Sequence, residues 1–390
     1  MPETDAQSHH AERLRRLSEC GPGTDMGRLL RHFWHPVAVS ARLDIGKALP
    51  VKILGEELTL YRGDSGKVHL VGGRCAHRCT VLHTGWVQGE EIRCIYHGWK
   101  FDGAGQCTEA PAEGPETASK IRIAGYPTRE YGGLIFAYMG EGEPPVFDLP
   151  RKAALERPGV VSFGRQEIWP CNWFQLVENS LDAVHVSFVH HAGKVGPFGA
   201  AVTAAIPALS YEETDAGIRQ IAQRGPDNVR ISDWTFPNYN HIVIPGLPGD
   251  PWIDTCVWRV PVDERRTLRL GIYALNAEDE AARERFARFF ETVGGYDPAM
   301  HHDDLLLRGD YPDDRIIQLT SAQDYVAAIG QGANADRVRE RLGKSDQGIV
   351  FLRRVFWREM ELAVADRPIK QWRRLAEAQE MPRPGEARAV

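Results

Sequence analysis

Short runs of alternating apolar and polar residues, separated by glycines and turn residues, fill the chain from Val37 to Gly140. Alternation with a period of two is typical of strands that bury one face. Hairpin turns are predicted at residues 62–66 (RGDSG) and 102–105 (DGAG), and residues 140–145 (GEGEPP) have the composition of a linker. We therefore predict an all-β domain over residues 37–145, with the runs VAVSARL, ALPVKILGEELTLYRG, KVHLVGG, EEIRCIYHG, KFDGAGQC and SKIRIAGYPTREYGGLIFAYMG as its sheet or barrel.

Residues 1–36 are predicted to form an N-terminal arm and a short helix. The segment 21–36, GPGTDMGRLLRHFWHP, indicates a loop followed by a helix that is capped at Thr24 or Asp25. His32 and His35 lie in this segment, and we expect both to pack or to serve as polar surface groups rather than to bind metal. The apolar residues on the inner side of the helix would be Leu29, Leu30, Phe33 and Trp34.

Residues 146–390 mix strand-like and helical patterns and are predicted to form one further domain. Helical periodicity appears in DEAARERFARFFETVGG and DQGIVFLRRVFWREMELAVAD. Strands are indicated by VSFGRQEIW, AVTAAIPALSYEE, IRQIAQRG, NVRISDWTF, YNHIVIPG, WIDTCVWRVPV and RTLRLGIYAL. The predicted fold class is α+β: an N-terminal all-β domain, then a domain built on an antiparallel sheet flanked by helices.

Composition and charge exclude several classes of function. The 390 residues carry 47 Lys and Arg against 53 Asp and Glu, a formal charge of -6, which favours neither nucleic acid nor an anionic membrane as a partner. The N-terminus resembles neither a signal peptide nor a transit peptide, and no apolar run is long enough to span a bilayer. Seven cysteines in so long a chain are not a disulfide framework, so a reducing, cytoplasmic location is expected.

Two short boxes each place a cysteine ahead of a histidine: Cys75-Ala-His77 and Cys94-Ile-Tyr-His97. Each box can give its thiolate to one iron and its imidazole to another, which is the ligation of a Rieske [2Fe-2S] centre. The alternatives are a zinc site in permuted order and coincidence. The tight turns expected at Gly72-Gly73 and at Gly98 favour the cluster, because ligand loops bring backbone amides close to the sulfurs.

Cys79 follows the first box, but the second box holds no cysteine that could pair with it in a disulfide. We expect Cys79 to be a small buried residue.

A second group of candidate ligands lies in the segment 172–191, NWFQLVENSLDAVHVSFVHH. Asp182 and His185 are three residues apart and would share a helix face, whereas His190 lies about 140° further round a regular helix. For both imidazoles to reach one metal, the helix must loosen or end between them. Two histidines and a carboxylate from elsewhere would form the facial triad of a non-haem Fe(II) oxygenase, which could accept electrons from the cluster.

The CxH and CxxH boxes, followed by the ENxxDxxHxxxxH segment, resemble the catalytic subunit of Rieske non-haem iron oxygenases, the aromatic-ring-hydroxylating family. Within that family the chain is similar to the phthalate and phenoxybenzoate dioxygenase type. The resemblance extends from GPGTDMGRLLRHFWHPVA to QDYVAAIGQGANADRVRERLGKSDQGIVFLRR. It implies a Rieske [2Fe-2S] cluster on Cys75, His77, Cys94 and His97, and a mononuclear non-haem Fe(II) on His185 and His190.

The resemblance also implies the third iron ligand, which spacing alone leaves open. The family ligand occupies a short acidic segment ahead of the QG and DR elements, where this chain has Asp324; His191 remains an alternative to His190. Asn179 corresponds to a family asparagine near the iron, although it could also be a buried amide that caps a neighbouring strand. The acids that spacing alone allows are Asp303, Asp304, Asp310, Asp313, Asp314, Asp324 and Asp336.

Asp182 corresponds to a family carboxylate that bridges an iron-bound histidine and a Rieske histidine of the next subunit. The resemblance thus implies a contact from His97 of one subunit through Asp182 to His185 of another, in a head-to-tail homotrimer. The simpler alternative is an acid that fixes the tautomer of His185.

The function implied is that of a terminal oxygenase that uses O₂ to hydroxylate or O-demethylate a small aromatic substrate, an aromatic acid or aryl ether. No GxGxxG turn is present, so an NAD(P)H-dependent reductase, with or without a ferredoxin, would supply electrons. The alternatives are a steroid or amine monooxygenase on the same scaffold, and an electron-transfer Rieske protein without mononuclear iron. The candidate substrate contacts are Trp234, Phe236, Asn238, Asn240 and His241.

Overall fold

A computed structural model describes residues 5–147, 149, 151–190, 205–244, 252–277, 279–294, 307–308 and 316–370. The helices are α1 (Asp5–Arg16), α2 (Asp25–Arg31), α3 (Pro115–Ser119), α4 (Ala153–Glu156), α5 (Trp173–Ser180), α6 (His185–Val189), α7 (Glu280–Gly294), α8 (Ile316–Ile329) and α9 (Gln347–Val364). The strands are β1 (Trp34–Val39), β2 (Ala48–Ile53), β3 (Glu56–Arg62), β4 (Val68–Gly72), β5 (Trp86–Gln88), β6 (Glu91–Arg93), β7 (Lys100–Phe101), β8 (Cys107–Glu109), β9 (Gly125–Tyr126), β10 (Thr128–Tyr131), β11 (Leu134–Tyr138), β12 (Val160–Trp169), β13 (Ala208–Glu213), β14 (Gly217–Gly225), β15 (Asn228–Thr235), β16 (Tyr239–Ile244), β17 (Ile253–Asp263) and β18 (Arg266–Asn276).

Three small antiparallel sheets form the first part of the fold, as the alternating pattern predicts. Their strand orders are β1-β11-β10, β2-β3-β4-β9 and β5-β6-β7-β8. The predicted hairpin turns are present: Gly66 N donates to Gly63 O at 3.0 Å, and Gly105 N donates to Asp102 O at 3.0 Å. The two cysteine–histidine loops follow β4 and β6, so that two neighbouring sheets carry them.

One seven-stranded antiparallel sheet, with the order β12-β18-β17-β16-β15-β14-β13, forms the centre of the second part. On one face Trp258 packs against Phe136 of β11, with ring centroids 5.6 Å apart. On the other face the helices pack: Trp234 lies 5.7 Å from Phe356 of α9, and Trp169 lies 5.1 Å from Tyr325 of α8. The predicted α+β fold class is therefore confirmed, and no described helix is long and apolar enough to cross a membrane.

The N-terminal segment differs from its predicted form in where the helix ends. Thr24 caps α2, since its hydroxyl accepts a hydrogen bond from Gly27 N at 3.0 Å, but the helix ends at Arg31. Trp34, predicted on the inner side of the helix, instead begins strand β1. The physical reason is Pro36, which disfavours helical backbone at the preceding residue and leaves Trp34 to pair with Tyr138.

Several elements of the second part also differ from the predicted ones. The strand predicted over 201–213 is described only from Ala208, and residues 201–204 lie outside the described part. Helix α8 was not predicted, because its sequence IIQLTSAQDYVAAI is too uniformly apolar to show one polar face. The predicted helices near 279–295 and 346–366 are present as α7 and α9.

His35 is a buried polar side chain at the contact between the two parts of the fold. It is 0% exposed, with Nε2 2.8 Å from Leu30 O and Nδ1 3.3 Å from Nδ2 of Asn238. Burial lowers the pKa of His35 to about 4, from the 6.5 of a solvated imidazole. The neutral ring is therefore the form that the fold accommodates.

We expect the protein to lose stability as the pH falls from 6.5 to about 4, because over this range the unfolded chain binds a proton at His35 and the folded chain does not. His35 lowers the free energy of unfolding by about 3 kcal/mol over this range, and the loss is complete once the pH is below the folded-state pKa. Urea unfolding of the wild type and of His35→Gln at several pH values would isolate it: the variant should show the shallower decline. Parallel curves would contradict the assignment.

Candidate metal centres

The two cysteine–histidine loops have the same backbone turn. Cys79 N donates to Cys75 O at 3.0 Å, and Gly98 N donates to Cys94 O at 3.1 Å. The residue that closes each turn has a positive φ, 57° at Cys79 and 74° at Gly98. The expectation that Cys79 is buried is wrong: it is exposed, at the left-handed position that glycine takes in the second loop.

The two loops place the thiols inside and the imidazoles outside. Cys75 and Cys94 are each 2% exposed and lie in the same apolar cluster. Burial raises the pKa of the Cys75 thiol to about 11, whereas hydrogen bonds from the backbone amides of His77 and Arg78 lower it. These amides are placed to stabilise a thiolate, as cluster ligation requires.

The imidazoles of His77 and His97 meet at the surface end of the same site. Their ring centroids are 4.4 Å apart and the rings are inclined at 67°. Trp99 stacks on His77 at 4.7 Å, which joins the imidazole pair to the cluster that holds the thiols. His77 Nδ1 is buried without a hydrogen-bond partner. A pair of thiols beside a pair of imidazoles fits a cluster with two different irons.

The segment expected to form one helix with both remaining histidines forms two. Helix α5 ends at Ser180, α6 covers only His185–Val189, and His190 directly follows it. The helix thus ends between His185 and His190, as their spacing requires. Asp182 lies in the break and not on a helix face. Its Oδ1 accepts hydrogen bonds from Val184 N at 2.9 Å and from His185 N at 3.2 Å, so it fixes the start of α6.

His185, His190 and Asp324 converge on one point. Asp324 Oδ1 lies 3.6 Å from His185 Nε2 and 3.5 Å from His190 Nε2. It is buried and has no hydrogen-bond partner, and among the described residues this is the one group that could hold a single metal ion. Burial lowers the pKa of His190, although Asp324 opposes the shift, so the ring is held neutral. Two imidazoles and a carboxylate are ligands that suit iron.

Helices α5 and α8 hold this group of three in place through residues that sequence reasoning did not single out. Gln175 of α5 donates to Ala328 O at 3.0 Å and to Gly332 O at 3.1 Å, at the end of α8. The ring of Tyr325, next to Asp324, packs against Trp169. Glu178 forms salt bridges with Arg337 at 2.9 Å and Arg353 at 2.6 Å, which bind α5 to α9.

Asn179 and Asp182 both lie beside His185. Nδ2 of Asn179 is 3.5 Å from His185 Nε2, at the limit of a hydrogen bond. Oδ2 of Asp182 is 3.8 Å from His185 Nδ1, and that nitrogen has no hydrogen-bond partner in the described structure. The Asp182 side chain is 33% exposed and is thus accessible from outside the subunit.

The five candidate substrate contacts do not form one group. Trp234 and Phe236 pack with Phe356, and Asn238 donates to Arg259 O at 2.9 Å. His241 Nε2 lies 2.7 Å from Asp254 Oδ1, on the face of the sheet opposite to its neighbour Asn240. The Asn240 side chain accepts a hydrogen bond from Arg259 Nη1, on the face that the helices cover.

Most of the alternative iron ligands fall outside the described residues. These are His191, Asp303, Asp304, Asp310, Asp313 and Asp314. Asp336 is described and is exposed, away from the three converging side chains.

Comparison with known proteins extends this description. Residues 33–127 match the model of the Rieske [2Fe-2S] domain family. The oxygenase subunit of 5,5'-dehydrodivanillate O-demethylase from Sphingobium sp. (strain NBRC 103272 / SYK-6) is 33% identical over 369 residues, which cover 90% of this chain and 80% of that protein. The alpha subunit of phenoxybenzoate dioxygenase from Ectopseudomonas oleovorans is 33% identical and is matched over 87% of this chain and 82% of its own length.

The fold is also similar to a solved structure of NdmA from Pseudomonas putida CBB5. The TM-score is 0.67 at 20% sequence identity, over 87% of this chain and 94% of that one. This likeness concerns the fold, whereas the two relatives at 33% identity match the chain through both metal centres. With the Rieske loops in its first sheets and the histidine–carboxylate group under its large sheet, the chain belongs to the Rieske non-haem iron oxygenases, as an oxygenase subunit.

Proposed function

We propose that this protein is a terminal oxygenase that uses O₂ and electrons from a reductase to hydroxylate or O-demethylate a small aromatic substrate, an aromatic acid or aryl ether. The observation that carries the proposal is the convergence of His185, His190 and Asp324 in a chain that also carries a Rieske site. The relatives named as an O-demethylase and a dioxygenase support the choice of an aromatic substrate.

Seven side chains would hold the two cofactors. Cys75, His77, Cys94 and His97 would bind the [2Fe-2S] cluster, and His185, His190 and Asp324 would bind the mononuclear Fe(II). When bound, the cluster supplies single electrons and the iron supplies O₂ activation. We further propose the domain division 1–36, 37–145 and 146–390. The change of sheet between β11 and β12 supports its second boundary, whereas strand β1 (Trp34–Val39) crosses the first.

The protein's own residues would position these ligands. Gln175 holds the end of α8, and Trp169 packs against the ring of Tyr325, next to Asp324. The carboxylate would therefore already be in position when the metal binds. Burial keeps His190 in its neutral, metal-binding form. Asn179 Nδ2 lies 3.5 Å from His185 Nε2, the nitrogen that would bind the iron, so Asn179 would border the metal site.

Asp182 would connect subunits in a head-to-tail homotrimer. Its Oδ1 accepts the hydrogen bonds of two backbone amides, so Oδ2 would receive His97 of a neighbouring subunit while it faces His185. His97 is exposed at the tip of its loop, where its ring lies 3.8 Å from the exposed ring of Tyr96. An exposed apolar tip of this kind favours contact with another subunit or an electron donor.

The electron donor would be a separate NAD(P)H-dependent reductase, with or without a ferredoxin. The relatives are named as subunits, which supports a system of several components. The chain has no GxGxxG turn that would cradle a nicotinamide cofactor.

Iron analysis followed by a substrate panel tests the proposed function. The purified protein should contain three irons per chain, two in the cluster and one outside it. Incubated with a generic reductase and NADH, it should convert at least one of a panel of aromatic acids and aryl ethers, scored by product and by NADH coupling. Two irons per chain and no product from any compound would leave an electron-transfer protein.

A further inference from the structure

A layer of buried charged side chains covers the helix-facing side of the large sheet. The cross-strand register places Glu167 opposite Arg269 and Arg269 opposite Arg259. Arg165 is two residues before Glu167 on the same face. Arg165, Glu167 and Arg259 are 8%, 4% and 9% exposed. Together with Arg269 they give this layer three guanidinium groups and one carboxylate.

Direct contacts join this layer to the candidate iron site. Tyr325, which follows Asp324, packs edge-on against Trp169 at 5.1 Å. The indole of Trp169 donates to Glu167 Oε2 at 2.9 Å, and the guanidinium of Arg269 lies 5.7 Å from its ring. The charged layer is therefore on the same side of the sheet as the group that would bind iron.

Two of the three arginines lie next to the acid. Arg165 forms a salt bridge with Glu167, and Arg269 Nη1 lies 3.6 Å from Glu167 Oε2. Arg269 also donates to the hydroxyl of Tyr273 at 3.4 Å. Burial works against the charge of Arg269, but Tyr273 and Glu167 outweigh it, so the pKa of Arg269 is raised.

Arg259 has no acid. Its Nη1 donates to Oδ1 of Asn240 and to Val257 O at 3.4 Å, which are both neutral, and its Nε and Nη2 have no acceptor within the described ranges. Burial and the neighbouring charge of Arg269 lower the pKa of Arg259 to about 9, against the effect of Asp324. A buried cation without a counter-ion is costly, and such a site is stabilised when a ligand brings the missing negative charge.

We propose that Arg259, oriented by Asn240, is the site that binds a carboxylate group of the substrate. This inference rests on the proposed function and narrows its substrate class to aromatic acids. The planar guanidinium offers the parallel N–H donors that a carboxylate accepts in pairs, and the amide Nδ2 of Asn240 adds a donor beside them. Asn240 Oδ1 fixes the guanidinium before the ligand arrives.

Binding of matched acids and amides tests this proposal. The iron-loaded protein, without oxygen, is titrated with benzoate, 3-methoxybenzoate and 4-methoxybenzoate, and with the three corresponding benzamides, by calorimetry. Each amide has nearly the shape of its acid but no charge. The wild type should prefer at least one acid to its amide by roughly 10- to 100-fold, the range for hydrogen bonds to a charged group.

Variants attribute the preference to Arg259. The substitution Arg259→Gln should abolish the acid-to-amide preference. The substitution Asn240→Asp should do the same with the arginine intact, because the new carboxylate pairs with it. As a control, Arg219→Gln removes a positive charge from the same sheet, where Arg219 pairs with Asp233 at 2.8 Å, and should keep the wild-type ratio.

Because the readout is a ratio, a variant that is merely damaged would weaken acid and amide alike and would not change it. A wild type without preference, or a preference that survives in Arg259→Gln, would overturn the proposal. Turnover of neutral aryl ethers by a protein with three irons, without acid binding, would overturn it and leave the proposed oxygenase function intact. Acid binding through Arg259 in a protein that yields no product would contradict the oxygenase function instead.

Discussion

Replacing His185 by alanine should remove one iron per chain and abolish product formation, while the Rieske cluster stays in place. His185 Nε2 is one of the three donors that meet at Asp324, and two donors hold a divalent iron far less tightly than three. The cluster site lies in separate sheets and shares no ligand with this group. Iron content should fall from three to two, and the visible Rieske spectrum should be unchanged.

The matched control for this variant is His241→Ala. His241 is also a buried histidine paired with an aspartate, at 2.7 Å from Asp254, but it lies on the other face of the sheet. Its loss should lower stability and leave the iron content at three. A His185→Ala protein that keeps three irons and its product yield would remove the basis for the proposed iron site.

The substitution Asp182→Asn should reduce product formation by roughly 10- to 100-fold, the usual effect of changing a partner of a metal-binding histidine. Asparagine keeps an oxygen for the amides of Val184 and His185, so the start of α6 should be preserved. It removes the negative charge that faces His185 and, in our proposal, His97 of the neighbouring subunit. Iron content and the Rieske spectrum should match those of the wild type.

A second substitution separates the two roles of Asp182. Asp182→Ala loses the helix-starting hydrogen bonds as well, so it should also lower the melting temperature. Single-turnover reduction and reoxidation of the cluster would show whether the slow step in Asp182→Asn lies between the two centres. Full activity in Asp182→Asn would rule out the proposed connection through this residue.

The ligand boxes and the strands of the large sheet could be predicted because their signals are local. A cysteine and histidine two or three residues apart, or alternation along one strand, needs no knowledge of the rest of the fold. The position of Asp324 needed the family resemblance, because α8 reaches the histidines only through tertiary contacts such as Gln175 with Ala328 O. Spacing in the sequence carries no information about such contacts.

Arg259 shows a second limit of sequence reasoning. Its partners Asn238 and Asn240 are candidate substrate contacts on the sequence alone, whereas the arginine is only one residue of the predicted strand WIDTCVWRVPV. Only the register that sets Arg259 opposite Arg269, and the pairing of Glu167 with other arginines, reveals a buried cation that has no salt bridge within the described part of the chain. The balance of charge in a buried layer is a property of three strands together.

The two cluster loops have the same turn, and their unequal sequence spacings reflect where the histidine lies within that turn. In a backbone turn of five residues, His77 takes the third position and His97 the fourth. The two histidines thus take unequal positions in equal turns, and their rings are inclined at 67° with centroids 4.4 Å apart. The CxH and CxxH boxes therefore belong to two loops that have the same backbone turn and face each other. A search for a strictly repeated sequence motif would overlook the pair.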